Sequence, residues 1–373
     1  MTASYLTPYL MSRLLDLAVQ IQQIPAPTFE EKPRAEFVRE MFAREQLSDV
    51  AMDAIGNVFA RLPGKTRASP LLVSAHLDTV FPPGTSISVS REAERIYGPG
   101  IGDNSLGVAA LFGLLWIFRE RQEDLEADVW FVANVCEEGL GDLRGMKAVV
   151  DRFGSRVRAY LVLEGTALGQ VYHRAVGVRR YRVIARTAGG HSWSDYGQPS
   201  AVHELARLVT QITSLQIPAN PRTTLNVGVI SGGSGINVLA SEAQFELDLR
   251  SESLEVLNAM ALRVEESIRA AQKDGVAIEM RVIGERPAGE ISAHHPLAKL
   301  AGACLSELGL KAKFRSGSTD ANVPLSRGLP ALVLGITTGA GAHTVHEYVD
   351  IAPIEKGMLQ VARFVERALE EPA

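Results

Sequence analysis

The sequence predicts an α/β protein: a mostly parallel sheet with helices, interrupted by an inserted α+β domain of ferredoxin-like type. Three observations carry this. Apolar runs at 71–75, 129–135, 160–163 and 331–335 have the length and composition of fully buried strands. Segments with helical apolar spacing lie between them, and strands alternating with helices build parallel sheets. Residues 178–282 read differently, in the order β-α-β-β-α-β, which is the ferredoxin-like split unit.

Taken in order, residues 9–21 place Leu10, Leu14, Leu17, Ala18 and Ile21 on one helix face. The run Ile24-Pro25-Ala26-Pro27 breaks that helix, and a second follows at 33–45. Further helices are expected at 106–120 and 143–153. In the inserted segment, 178–185 is a strand, and 201–215 is an amphipathic helix with Val202, Leu205, Val209 and Ile212 aligned. Strands at 223–230 and 242–249 come next. A helix at 254–271 then aligns Leu257, Met260, Val264 and Ile268, and a strand at 276–282 closes the set. The α/β pattern resumes and ends in a helix at 354–369. The expected division is therefore 1–176, an inserted domain 177–286, and 287–373.

A chain of 373 residues is long enough for two domains, and 46% apolar with 22% charged residues is an ordinary globular balance. The formal charge of −5 argues against nucleic acid or an anionic membrane as main partner. Cys136 and Cys304 alone make no disulfide framework, so a reducing cytoplasm is expected. Arg13 and Asp16 interrupt the only stretch resembling a signal peptide, and the longest apolar run, 107–118, is too short to span a bilayer.

Five clusters carry chemistry, four of them at the ends of expected strands, where open α/β sheets bind ligands. His76 and Asp78 follow the first apolar run; an imidazole is a good zinc ligand, and a nearby carboxylate can fix its tautomer. Asp103 sits in the glycine-rich turn Gly98-Pro-Gly-Ile-Gly-Asp-Asn, just before an apolar helix. Its two oxygens can bridge metals ~3.5–4 Å apart, although Asp at this place commonly caps a helix. No lysine follows in the phosphate-loop pattern. Glu137 and Glu138 come directly after a buried strand, so one can bind metal while the other handles a proton. Cys136 beside them reads as a small buried residue. Glu164 ends another strand. His343 and His346 are both candidate ligands, and their spacing does not choose between them. Singly, each cluster is equally a surface or turn feature. Together they form an ordered His, Asp, Glu, Glu, Glu, His set that suits zinc, with cobalt or manganese as substitutes.

In order and spacing these residues resemble the dinuclear zinc exopeptidase and deacylase family. That family includes glutamate carboxypeptidase, peptidase T, aminoacylase, acetylornithine deacetylase and succinyl-diaminopimelate desuccinylase. The resemblance implies that His76 and Glu164 bind one metal, with Asp78 behind His76, and that Asp103 is the bridging carboxylate, followed by a cis peptide bond. It implies Glu137 as general base and Glu138 as ligand of the second metal. The family pattern His-x-x-x-Glu-Tyr/Trp-Val selects His343, with Glu347, over His346. In the inserted domain, Gly189-Gly190-His191-Ser192 resembles a lid motif whose histidine stabilises the oxyanion in a partner subunit. Asn237 in Gly-Ser-Gly-Ile-Asn and Arg250 in Asp-Leu-Arg resemble substrate-binding residues, Arg250 gripping a carboxylate. Asp320 in Gly-Ser-Thr-Asp is expected to be a helix cap near the substrate's end.

The implied activity is hydrolysis of an amide in a small peptide by metal-activated water, in a homodimer formed through the inserted domain. N-acyl amino acid deacylation is the alternative, and a metal-binding scaffold without catalysis or a metal-free structural dimer are the readings from other classes. Within the family, Glu164 leans to deacylases and carboxypeptidases, Arg250 serves carboxypeptidase cleavage, and the His343 segment is similar to peptidase T.

Overall fold

A computed structural model of the chain describes residues 6–122 and 124–370. It divides into two compact units, Met1–Ala175 with Glu290–Ala373, and Val176–Gly289.

In the first unit the described residues form a nine-stranded sheet. Its centre is four parallel strands in the order Val129–Asn134, Leu71–His76, Ala159–Glu164 and Ala331–Gly335. These strands are covered on both faces, which is why they read as unbroken apolar runs. One face packs on the helices Pro8–Gln22, Leu106–Glu120 and Ile354–Glu370, and the other on Arg144–Phe153. The register pairs His76 with Asn134 and Gly335 with Glu164, so the carboxyl ends of the strands lie along one edge. Antiparallel strands flank this core, Val58–Leu62 and Ser48–Met52 on one side and Gln170–Ala175 on the other. A separate small sheet pairs Tyr348–Asp350 with Arg95–Tyr97.

The segment Ile101–Glu120 has the length and apolarity of a membrane span, but 94% of that stretch is buried inside the protein. It is the central core helix. Asp103 and Asn104, at the start of this stretch and ahead of the α-helix Leu106–Glu120, have non-helical backbones, and Ser105 holds the cap position. Asp103 therefore does not cap the helix.

The second unit is an antiparallel sheet in the order Thr223–Gly232, Glu242–Ser251, Gly177–Arg186 and Ala277–Arg286. The helices Ala201–Thr213 and Leu254–Ala270 cover one face around Tyr181, Phe245 and Leu249. On the other face, cross-strand ion pairs join Arg180 to Asp248, Arg182 to Glu246 and Arg186 to Glu242.

Candidate metal centre

His76 is the last residue of its strand and is 1% exposed. Its Nδ1–H donates to the Asp78 carbonyl at 3.0 Å, and Nε2 faces Asp103 Oδ1 at 3.1 Å and Glu164 Oε2 at 3.8 Å. The Asp78 carboxylate is farther from the ring, 3.5 Å from Nδ1. Its closer partners are the backbone N–H groups of Glu137 and Glu138, at 2.9 and 2.8 Å, and the Thr28 hydroxyl at 3.0 Å. Both the carbonyl and the carboxylate of Asp78 thus face His76 Nδ1, and the carboxylate also holds the Glu137–Glu138 turn.

Asp103 lies at the centre of the cluster. Its Oδ1 faces His76, while its Oδ2 is 3.1 Å from His343 Nε2. His343 Nε2 is also 3.2 Å from Glu138 Oε1. The Asp103–Asn104 peptide bond is cis. The Asn104 amide donates to the Leu163 carbonyl at 2.8 Å and accepts from the Gly165 N–H at 2.9 Å, which fastens this turn to the strand end carrying Glu164.

Among the described residues, ligand atoms come within 4.8 Å of one another in three groups: His76 with Asp103 and Glu164, Asp103 with Glu138 and His343, and His76 with Glu137 and Glu138. The first two share Asp103, and each offers one imidazole nitrogen and two carboxylate oxygens. That donor chemistry fits two divalent metals. Crowding of acids and imidazoles shifts their protonation. Burial opposes protonation of His76, but hydrogen bonds to Asp103 and Asp78 and the charge of Glu164 hold it well above its ordinary value. Hydrogen bonds to Asp103 and Glu138 raise His343 to about 10. Burial pushes the Glu164 carboxyl well up, against the pull of His76 and with the repulsion of Asp103. His346 is exposed and belongs to none of the three groups.

Three buried charged groups, Glu347, Arg34 and Glu31, surround the cluster; the sequence pattern marks only Glu347, and without its hydrogen bonds. Glu347, 1% exposed, accepts N–H hydrogen bonds from Gly100, Gly102 and Asp103, each at 2.7 Å. Burial, opposed by the Gly100 hydrogen bond but helped by the charge of Asp103, raises its carboxyl to about 7. Arg34, 2% exposed, donates to the Leu77 and Ile24 carbonyls; burial lowers it to about 10, against the charges of Asp78 and Glu31. Glu31 accepts from the Cys136 N–H at 3.0 Å. The Cys136 thiol is pushed up to about 12, chiefly by burial, which suits a packing residue and not a nucleophile.

Asp320 departs from its expected role. It is fully buried and accepts from the Asn134 amide at 2.8 Å, while Ala321 caps the short helix Asn322–Ser326.

His191, Asn237 and Arg250 all belong to the second unit. His191 and Asn237 are exposed on adjoining loops, joined by the pairing of Gly190–His191 with Val238–Leu239 and by a Ser192 N–H bond to the Asn237 carbonyl at 2.9 Å. His191 Nδ1 accepts from the Trp193 and Ser194 N–H groups at 3.2 and 3.4 Å. Arg250 Nε donates to Asp248 at 2.6 Å, so this guanidinium is already held by a carboxylate of its own strand.

Comparison with known proteins identifies the family. A model of peptidase family M20/M25/M40 matches residues 72–367. Succinyl-diaminopimelate desuccinylase of Corynebacterium glutamicum is 25% identical over 358 residues, covering 92% of this chain and 95% of that enzyme. A tripeptidase structure from Staphylococcus aureus superposes with a TM-score of 0.83 at 21% identity, covering 97% of this chain and 99% of that one. A dinuclear metal-binding peptidase of the M20 family from Bacillus subtilis superposes at 0.71 with 15% identity, over 98% and 99% of the two chains. The chain belongs to peptidase family M20/M25/M40, a metal-dependent family of peptidases and amidohydrolases.

Proposed function

We propose that the protein is a two-metal exopeptidase that cuts an amide bond of a small peptide. One observation carries the reading: the two oxygens of Asp103 each lie 3.1 Å from a different imidazole. His76, Asp103 and Glu164 would hold one metal, and Asp103, Glu138 and His343 the other. Zinc suits these donors, and cobalt or manganese can replace it. When bound, the metals polarise the scissile carbonyl and make water nucleophilic at neutral pH. Glu137 belongs to neither ligand set, and its carboxylate is within 4.8 Å of the His76 and Glu138 ligand atoms. It takes the proton of the attacking water and delivers it to the leaving amine. Asp78 fixes the backbone of the Glu137–Glu138 turn by accepting from both of their N–H groups.

His191 is the donor to the developing oxyanion. With Nδ1 accepting two backbone N–H bonds, its proton sits on Nε2, the nitrogen available to donate. Arg250 binds the substrate carboxylate and Asn237 its backbone, with Asp248 fixing the plane of the guanidinium. Residues 176–289 act as lid and dimerisation domain, the lid supplying His191. The edge strand Thr223–Gly232, with Val229 and Ile230 exposed, supports pairing with a second copy. The free, buried Cys136 and Cys304 are compatible with a reducing cytoplasm.

Likeness to the tripeptidase favours a peptide substrate, whereas likeness to the desuccinylase favours N-acyl amino acid deacylation as the second reading. Incubating the zinc- or cobalt-loaded protein with mixed dipeptides, tripeptides and N-acyl amino acids, with losses followed by mass spectrometry, tests both. Selective loss of peptides supports the first reading. Loss of N-acyl amino acids alone transfers the assignment to the second, and no loss with both metals bound rejects both.

A further inference from the structure

We infer that Glu347 is a positioning residue that aims the two oxygens of Asp103 at two different metals and so sets the affinity of the second one. The inference rests on the two-metal reading above.

Three backbone N–H groups within residues 100–103 converge on one buried carboxylate. Oε1 accepts from Gly102 and Asp103, and Oε2 accepts from Gly100, all at 2.7 Å. Successive N–H groups turned inward form an anion nest, and here the anion belongs to the protein itself. The main chain adds to the grip: the Glu347 carbonyl accepts from the Gly98 N–H at 2.9 Å, and Tyr348–Asp350 pairs with Arg95–Tyr97. The approach is close because residue 102 lacks a side chain. A Cβ there would lie 3.0 Å from Glu347 Oε1 and nearer still to Thr166 and Val349.

The two metal sites differ in what holds their ligands. His76 and Glu164 each end a parallel strand of the central sheet and are paired there, with Asn134 and with Gly335, so their positions follow from the sheet. His343 stands on an exposed loop at a left-handed φ of 66°, four residues before Glu347. Asp103 stands in the non-helical turn that Glu347 clamps. Glu347 thus fastens the His343 segment to the Asp103 turn, and loosening it moves two of the three ligands of the second metal.

The test uses metal-free full-length wild type, Glu347→Gln and Gly102→Ala. Each is titrated with cobalt and followed by visible absorption and calorimetry, with electron paramagnetic resonance reporting coupling between the ions and circular dichroism reporting folding. A glutamine turns an N–H₂ group toward at least one N–H donor, so the nest loses a bond. Gly102→Ala keeps every donor but presses on the carboxylate. The expected result is two cobalt ions in wild type. In Glu347→Gln, one ion keeps near wild-type affinity, the second binds about 10–100-fold more weakly, and the inter-ion coupling is altered. Gly102→Ala should shift the second ion in the same direction by less. Two ions bound with wild-type affinities and unchanged coupling in both variants would overturn the inference, whatever their melting temperatures. If Glu347→Gln does not fold, Gly102→Ala decides by the same criterion. Should wild type itself bind fewer than two ions, the two-metal reading falls, and this inference with it.

Discussion

Asp78, Asp103, Glu137, Glu138 and Glu164 crowd two imidazoles at the strand ends, and this crowding governs protonation. Both histidines are raised, His343 to about 10 by Asp103 and Glu138, and His76 well above its ordinary value despite burial. A ligating imidazole must be neutral, so protons compete with metal below these values. The sign follows: metal binding tightens as pH rises toward 10, and loading near neutral pH releases protons. Calorimetric titration in two buffers of different ionisation enthalpy measures that release, and a buffer-independent heat would contradict it. The second prediction at this scale concerns Glu137. Glu137→Gln keeps size and polarity but cannot accept a proton, so turnover should fall by about 10²–10⁴-fold with both metals retained. Steady-state kinetics paired with metal analysis checks this.

At the scale of elements, close backbone approach fixes where strands and helices meet. The helix Ile354–Glu370 packs over the end of the strand Ala331–Gly335 through Gly357, where a Cβ would stand 1.7 Å from the Ile336 carbonyl oxygen. Gly357→Ala should therefore destabilise the protein by ~1–3 kcal/mol, read from denaturant unfolding. Element visibility in the sequence followed burial. The strands Leu71–His76 and Ala331–Gly335 are buried at every position and read as apolar runs. Ser48–Met52 and Lys313–Gly317 are half-exposed, carry charges and gave no such signal. The site divides along similar lines. His76, Glu138 and Glu164 were visible because they end or closely follow buried strands, whereas Asp103 and His343 stand in turns marked by glycines. The Glu347 clamp was not visible, because its hydrogen bonds join residues 244 to 247 positions apart, a distance that periodicity does not cover. The Asp320 carboxylate likewise looked local but finds Asn134, 186 positions away.

For the whole molecule, the proposed roles divide between the two units: the candidate metal ligands lie in Met1–Ala175 with Glu290–Ala373, and His191, Asn237 and Arg250 lie in Val176–Gly289. If the second unit pairs copies through its edge strand, a charge at Ile230, now 60% exposed, should break the pairing. Light scattering is expected to give a dimer for wild type and a monomer for Ile230→Glu; a wild-type monomer would remove the dimer from the account. The central claim, amide hydrolysis at a two-metal centre built on Asp103, is tested most directly by titrating the metal-free protein with zinc. Cleavage of the peptide mixture is followed at each step. The account predicts no cleavage without metal and activity that rises to a plateau at two bound equivalents. Cleavage that persists under chelation, or none with two equivalents bound, would contradict it.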